Sequence, residues 1–268
     1  MSITNNKIEV LVVTMFCHDY EALWHKMNIH GDAVISSQGD WAGREQKNVD
    51  GHAIDCIAGE GRGVSLNRNA AVSAASGDIL IIADDDVVYD PGYQETVLAA
   101  YAEFPAADII LFHVPSSNLA RPTFGLKKSK YCRFDEIVRF ATFQVTFRRR
   151  VTDNGLRFDE RFGPGSAAYG GTCGEDMLFL AQAYQRGHRI AYVKERIGVV
   201  NHRDSTWHAK EWSEEFFSGH GALFAATSKP LALPFILLYA LLKHRAYREK
   251  VFLFDAVKHM LSGARSLT

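Results

Sequence analysis

Three adjacent carboxylates, Asp84, Asp85 and Asp86, follow directly on the apolar run "DILIIA" (residues 78–83). Like charges side by side repel and raise each other's pKa, so a positive partner is expected there. Carboxylates at the end of a buried strand can hold a hard cation such as Mg²⁺ or Mn²⁺. Such an ion keeps one or two protein carboxylates and draws further ligands from substrate phosphates. The plainer alternative is a turn capped by Asp84 and Asp85 with Asp86 in solvent; three acids in a row favour the metal. Two more acids, Glu175 and Asp176 in "GEDMLF", open a helical stretch. There they either complement the helix dipole or supply a general base facing a cleft. Gly170, Gly171 and Gly174 beside them would let a substrate come close. "GEGRGVS" (59–65) is glycine-rich and precedes a helix, which suits either an anion at exposed N–H groups or a simple turn. Arg62 and Arg68 accompany it, and Arg68 lies near the helix entrance, where a phosphate could be met. His202 in "GVVNHRD" is either a metal ligand or an ordinary satisfied polar residue.

These residues need elements to position them. "IEVLVVT" (8–14), "DAVISS" (32–37), "AIDCIA" (53–58), "DILIIA" (78–83) and "DIILFHV" (108–114) are short apolar runs of the kind that form strands buried on both faces. Helical stretches stand between several of them. "DYEALWHKM" follows the first strand, Ser65 is positioned to cap a helix that Gly77 ends, and Asp90-Pro91 opens another. Such alternation predicts an α/β domain with a mainly parallel sheet, whose ligands bind beyond the carboxyl ends of the strands. Past residue 115 the rhythm changes. "EIVRFATFQVTFRRR" (136–150) reads as one long strand or a hairpin, and a helix is expected from Glu175 to Arg186 with a strand after Gly187. The simplest division is a catalytic domain over residues 1–207 and a helical extension over 208–268.

Composition excludes several classes. Of 268 residues, 47% are hydrophobic and 23% charged, and the formal net charge of −1 gives no reason to expect nucleic acid. Cys17, Cys56, Cys132 and Cys173 form no C-x-x-C pair, which disfavours a zinc site and suits reduced thiols. The opening "MSITNNKIEVLVV" has no basic region or cleavage site, so no leader is expected and a cytoplasmic location is. "LALPFILLYALL" (231–242) is too short to span a bilayer. Beyond it Val251, Phe254, Val257 and Leu261 recur at helical spacing among basic residues. That pattern suits either peripheral contact with the inner face of the plasma membrane, or packing on the catalytic domain or in a dimer.

The order of these features resembles the family 2 glycosyltransferases, which use nucleotide sugars and have the GT-A fold. The resemblance covers about residues 8 to 205 and rests on an opening strand ending in Thr14, "GRGVSLNRNAA", "ADDDVVY" and a late "GEDMLF". "MNIHGDAVISSQGD" is also similar to members from bacterial capsular and exopolysaccharide clusters, while "TMFCHD" stands where the family has T-x-N. The resemblance implies a role for each residue. Thr14 and Gln38 would border the nucleobase, Arg62 and Arg68 the diphosphate or ribose, and Asp84 and Asp85 the ribose or sugar. Asp86 would bind a divalent metal, Mn²⁺ or Mg²⁺, with His202 as a late second ligand. Asp176 would deprotonate the acceptor hydroxyl with Glu175 beside it.

The resemblance further implies an inverting transfer of a hexose from a UDP-sugar to a saccharide or polyprenyl-diphosphate-linked acceptor in polysaccharide biosynthesis. The basic "KKSKYCRF" (127–134) would suit the acceptor's phosphate, or is a solvated loop. A sugar-phosphate nucleotidyltransferase and a non-catalytic carbohydrate-binding protein are the alternatives, and the oligomeric state is open.

Overall fold

The computed structural model describes residues 6–39, 41–169, 174–202 and 212–267. Its strands are β1 (Ile8–Met15), β2 (Ala33–Gln38), β3 (Gly43–Val49), β4 (His52–Gly59), β5 (Ile79–Asp84), β6 (Val87–Tyr89), β7 (Ile109–His113), β8 (Lys130–Tyr131), β9 (Val145–Arg148), β10 (Ile190–Arg196) and β11 (Gly198–Val200). The helices are α1 (Tyr20–Lys26), α2 (Val64–Ala74), α3 (Tyr93–Glu103), α4 (Phe134–Ile137), α5 (Arg150–Asp153), α6 (Glu175–Gln185), α7 (Glu214–Thr227), α8 (Ala232–Tyr247) and α9 (Leu253–Ser266).

Nine strands form one sheet in the order β3-β4-β2-β1-β5-β9-β7-β10-β8, and β6 pairs with β11 in a separate ribbon. β4, β2, β1 and β5 run parallel, as do β7 and β10. β9 is inserted antiparallel between β5 and β7. Alternate residues of each strand enter opposite layers. Val10, Val12 and Ile35 pack with Tyr20, Trp24, Val97 and Tyr101 of α1 and α3. Leu11, Val34, Leu80 and Ile82 pack with Ala71, Val72, Phe179 and Leu180 of α2 and α6. That is why the central strands are apolar without alternation: both of their faces are covered.

The five expected strands are present, and some details differ. The segment 136–150 is not one strand. It contains part of α4, a short 3₁₀ turn at Thr142–Gln144 and only four residues of β9. The Gln144 side chain bonds the carbonyls of Phe112 and Phe124 and anchors the turn. Ser65 does not cap α2. The cap position is Gly63, and the Ser65 hydroxyl donates to the Phe162 carbonyl instead. α2 ends at Ala74, before Gly77, because the N–H groups of Ser76 and Gly77 are taken by the Glu9 carboxylate.

The expected stripe on the last helix points largely inward. Val251, Val257 and Leu261 pack in the core shared by α7, α8 and α9, while Phe254 stays exposed. α7 and α9 approach so closely that a Cβ on Gly221 would lie 1.8 Å from the Met260 carbonyl oxygen, and one on Gly263 as near that of Ser218. Leu223 and Ala222 of α7 join Phe162 and Leu178 in a further cluster that fastens the extension to the catalytic layer. No helix among the described residues is long and apolar enough to cross a membrane. Cys17, Cys56 and Cys132 are free thiols; Cys173 lies outside the described residues.

Candidate active site

The carboxyl ends of β1, β2 and β5 lie side by side, and the start of α6 meets them through one buried cation. Arg68, on the second turn of α2, is 3% exposed. Its Nη2 donates to Asp84 at the end of β5 (3.0 Å), and its Nη1 donates to Glu175 at the start of α6 (2.9 Å). The same Nη1 stands 3.9 Å from an Asp176 oxygen. Burial works against the charge on Arg68, but Asp84, Glu175 and Asp176 more than offset it and raise the guanidinium pKa. Asp84 therefore has an internal positive partner. The terminal nitrogens of Arg68 clamp the end of one strand to the start of one helix.

The other acids of the triplet are held differently. Asp85 accepts from the Thr14 hydroxyl at 2.5 Å, and its carbonyl accepts from Lys26 Nζ. The Asp86 carbonyl accepts from the Asn201 N–H, and β6 immediately beyond it pairs with β11, Val87 facing Val200. This pairing brings Asp86 and His202 to the same end of the ribbon. The Nδ1 of His202 lies 3.0 Å from the Ser116 hydroxyl, leaving Nε2 as its other ring nitrogen. A ligating histidine commonly has its second nitrogen fixed in this way. Among the described residues no group of three or more His, Cys, Asp or Glu stands ready to hold a metal. A carboxylate and an imidazole at one rim do fit a cation that completes its shell with phosphate oxygens.

Thr14 and Gln38 line the strand ends, with their polar groups already engaged. Gln38 Nε2 donates to the Gly63 carbonyl and its Oε1 accepts the Gly63 N–H, so the amide holds the glycine loop. The Val64 N–H bonds to the Pro164 carbonyl. Two of the N–H groups offered to an anion by the sequence are thus used within the fold. Arg62 is exposed, with its guanidinium 5.4 Å from the centre of the Phe16 ring. Phe16 was not anticipated. It has φ 53°, a left-handed conformation that costs a bulky residue energy, and it presents a half-exposed ring beyond the end of β1. Asn67 was also missed. Its Nδ2 bonds the carbonyls of both Thr14 and Ser36 and ties β1 to β2. An adjacent Asn-Arg pair within an otherwise Ala- and Val-rich helix was the available signal for it.

Glu175 and Asp176 differ sharply. Glu175 is 1% exposed and held by Arg68 and the Gly174 N–H. The Asp176 side chain is 18% exposed and accepts only weakly, at 3.3 Å, from the Thr142 N–H. Burial first, and then the neighbouring Glu175 charge, push the Asp176 pKa well above the carboxylate range, with Arg68 pulling against them. A carboxylate of raised proton affinity that still reaches solvent is suited to accept a proton. Gly174 serves packing rather than substrate approach. It has φ 125°, and a Cβ there would lie 2.4 Å from Leu223 of α7. Gly170 and Gly171 lie outside the described residues. The basic segment 127–134 forms the short edge strand β8 and the start of α4, where Lys130 pairs with Glu136 and Arg133 with Asp135.

A mainly parallel sheet covered by helices on both faces, with acids gathered at its carboxyl ends, has the GT-A fold. Residues 44–162 match the family described as Glycosyl transferase family 2. Those residues match a glycosyltransferase domain, and the chain is a glycosyltransferase. Solved structures agree on the fold. The S. aureus TarS 1–349 structure has a TM-score of 0.60 and 15% identity, covering 97% of this chain and 92% of that one. The same protein in complex with UDP-GlcNAc gives 0.64 and 15%, with 98% and 84% covered. The mannosyltransferase PcManGT from Pyrobaculum calidifontis, in complex with GDP-Man and Mn²⁺, gives 0.50 and 12%, with 98% and 87% covered. No curated protein matches the chain by sequence.

Proposed function

We propose that the protein transfers a hexose from a UDP-sugar to a saccharide or lipid-linked saccharide acceptor, with inversion, and that Asp176 is the base. The observation that carries this reading is the asymmetry of the two acids opening α6, one locked on Arg68 and one left with raised proton affinity beside the strand ends. Further support comes from solved structures of similar fold, named as complexes with UDP-GlcNAc and with GDP-Man and Mn²⁺.

In the reaction the acceptor hydroxyl oxygen attacks the anomeric carbon while its proton passes to Asp176. The bond from that carbon to the diphosphate oxygen breaks, and the nucleoside diphosphate leaves. A single displacement needs one base and no covalent intermediate, which suits one accessible carboxylate rather than a catalytic pair. Asp86 and His202 would hold a divalent cation, Mn²⁺ or Mg²⁺, whose chemistry is to offset the negative charge developing on the diphosphate. Phe16 would border the nucleobase together with the strand ends at Thr14 and Gln38, and Arg62 beside it would approach the diphosphate or ribose. Asp84 and Asp85, steadied by Arg68 and Thr14, would meet the ribose or sugar.

The test is UDP release from a panel of UDP-sugars with and without Mn²⁺ or Mg²⁺, together with calorimetry of Asp86→Ala. Metal-dependent UDP release is expected, with metal-dependent UDP binding lost in the variant. Unchanged UDP and Mn²⁺ binding by Asp86→Ala would remove Asp86 from the site.

A further inference from the structure

Eight large apolar residues of the extension are 45% exposed or more, and most lie on one helix. Leu233, Leu237, Leu238, Leu241 and Leu242 of α8 are between 45% and 71% exposed. Their spacing places them on one broad face, and the opposite face, with Ala232, Ile236, Ala240 and Tyr247, packs into the core shared with α7 and α9. Leu231 precedes them, and Phe252 and Phe254 follow at the turn into α9, 79% and 77% exposed. A face of this kind is far more than the scattered leucines any soluble surface carries.

The charge around it decides what covers it. α8 contains no acid, and Arg245 and Arg248 continue the leucine face through its last turn. Between residues 229 and 258 six lysines and arginines stand against two acids, Glu249 and Asp255. A second copy laid against this face, in either orientation, would find no acid on α8 to meet Arg245 and Arg248. An anionic lipid surface answers both parts, the leucines entering the acyl boundary and the cations meeting phosphate groups.

We propose that α8 is a docking helix for an anionic lipid bilayer, lying on the surface by its leucine face and not crossing it. The leucine face of α8 thus takes the place of the stripe expected on the last helix, whose valines and Leu261 are largely committed to the interior. A helix in this position would lie in the interface plane, about 5–10 Å into the headgroup boundary.

The test uses the full chain and needs neither donor nor acceptor, so its result is independent of the transfer reaction. Co-sedimentation is measured with phosphatidylcholine vesicles with and without phosphatidylglycerol, at low and high salt. Binding to the anionic vesicles is expected, weakening with salt. The double variant L237Q/L241Q, with both positions on the exposed face, is expected to keep the wild-type thermal melt and bind about tenfold less or weaker. R245Q/R248Q is expected to lose the preference for anionic vesicles. The proposal is overturned if the wild-type chain stays in the supernatant, or if L237Q/L241Q binds as the wild type does. It is equally overturned if sedimentation equilibrium shows self-association that L237Q/L241Q abolishes while vesicles bind neither protein.

Discussion

Asp176 carries the sharpest consequences at the level of a single residue. Asparagine at this position keeps the shape and cannot accept a proton, so Asp176→Asn is expected to lower transfer by about 10² to 10⁴ while nucleotide binding survives. Because the folded-state pKa is raised, the wild-type rate is expected to fall on the acid side at a pH above the ordinary carboxylate range. The same shift has a consequence for stability. A raised folded pKa means that the folded chain holds the Asp176 proton more tightly than the unfolded chain, whose aspartates titrate near about 3.9. That stabilisation is complete below the unfolded value and is lost as pH rises through the folded one. Asp176→Asn should therefore melt higher than wild type at pH 8 and show little or no gain at acid pH. Thermal melts across pH, read beside the transfer rates, check both expectations; a variant less stable than wild type at pH 8 would contradict the burial argument. The sequence showed this acid but could not distinguish it from Glu175, since dipole and base readings serve both. What separates them is Arg68, 107 positions from Glu175 along the chain, and a contact at that separation leaves no local signal.

The elements divide into those with a local signature and those without one. β1, β2, β5 and β7 were legible because burial on both faces leaves a nearly continuous apolar run, and β4 because its alternate residues Ile54, Cys56 and Ala58 are buried. β3, "GREQKNV", was not: it is an exposed polar edge strand whose partner, not its composition, makes it a strand. β6, β9 and β11 have three or four residues each, too few for any period to show. The start of α6 is specified by backbone geometry. At Gly174, φ 125° excludes a side chain without strain, and Leu223 fills the space where a Cβ would stand. Gly174→Ala is thus expected to cost about 1–3 kcal/mol from strain at a left-handed position, and more if Leu223 is displaced. Because Glu175 and Asp176 follow directly, transfer should fall along with stability. Leu223→Ala in the same background should restore part of both if the methyl–leucine collision is the cause. Denaturation midpoints and initial rates of the three variants decide it, and no recovery in the double variant would assign the loss to backbone strain alone.

At the scale of the whole molecule, the helices beyond the expected boundary near residue 207 pack on the elements before it. α7 contributes Ala222 and Leu223 to the cluster with Phe162 and Leu178, and the Gln185 side chain at the end of α6 donates to the Thr227 carbonyl at the end of α7. The extension therefore braces α6 at both ends, and α6 begins with the acids of the site. Two independent units would melt separately, and a chain ending at residue 207 would keep the melting temperature and activity of the catalytic part. The packing argues otherwise. Removing α7 uncovers Phe162 and Leu178, both without solvent exposure in the full chain, at about 1.5–3 kcal/mol for each large apolar side chain fully uncovered. It also leaves the space beside Gly174 empty. The truncated chain is expected to unfold at a markedly lower temperature and to transfer poorly, although it retains every residue assigned to donor, metal and base. A truncation ending after Tyr247 tests how far this bracing depends on α9. It keeps α7 and the leucine face of α8 but loses α9, whose Gly263 packs against α7. Its melting temperature should fall between the other two. If the chain ending at residue 207 melts and works like the full protein, the helical extension is an appendage after all, and the bracing of α6 contributes nothing to the site.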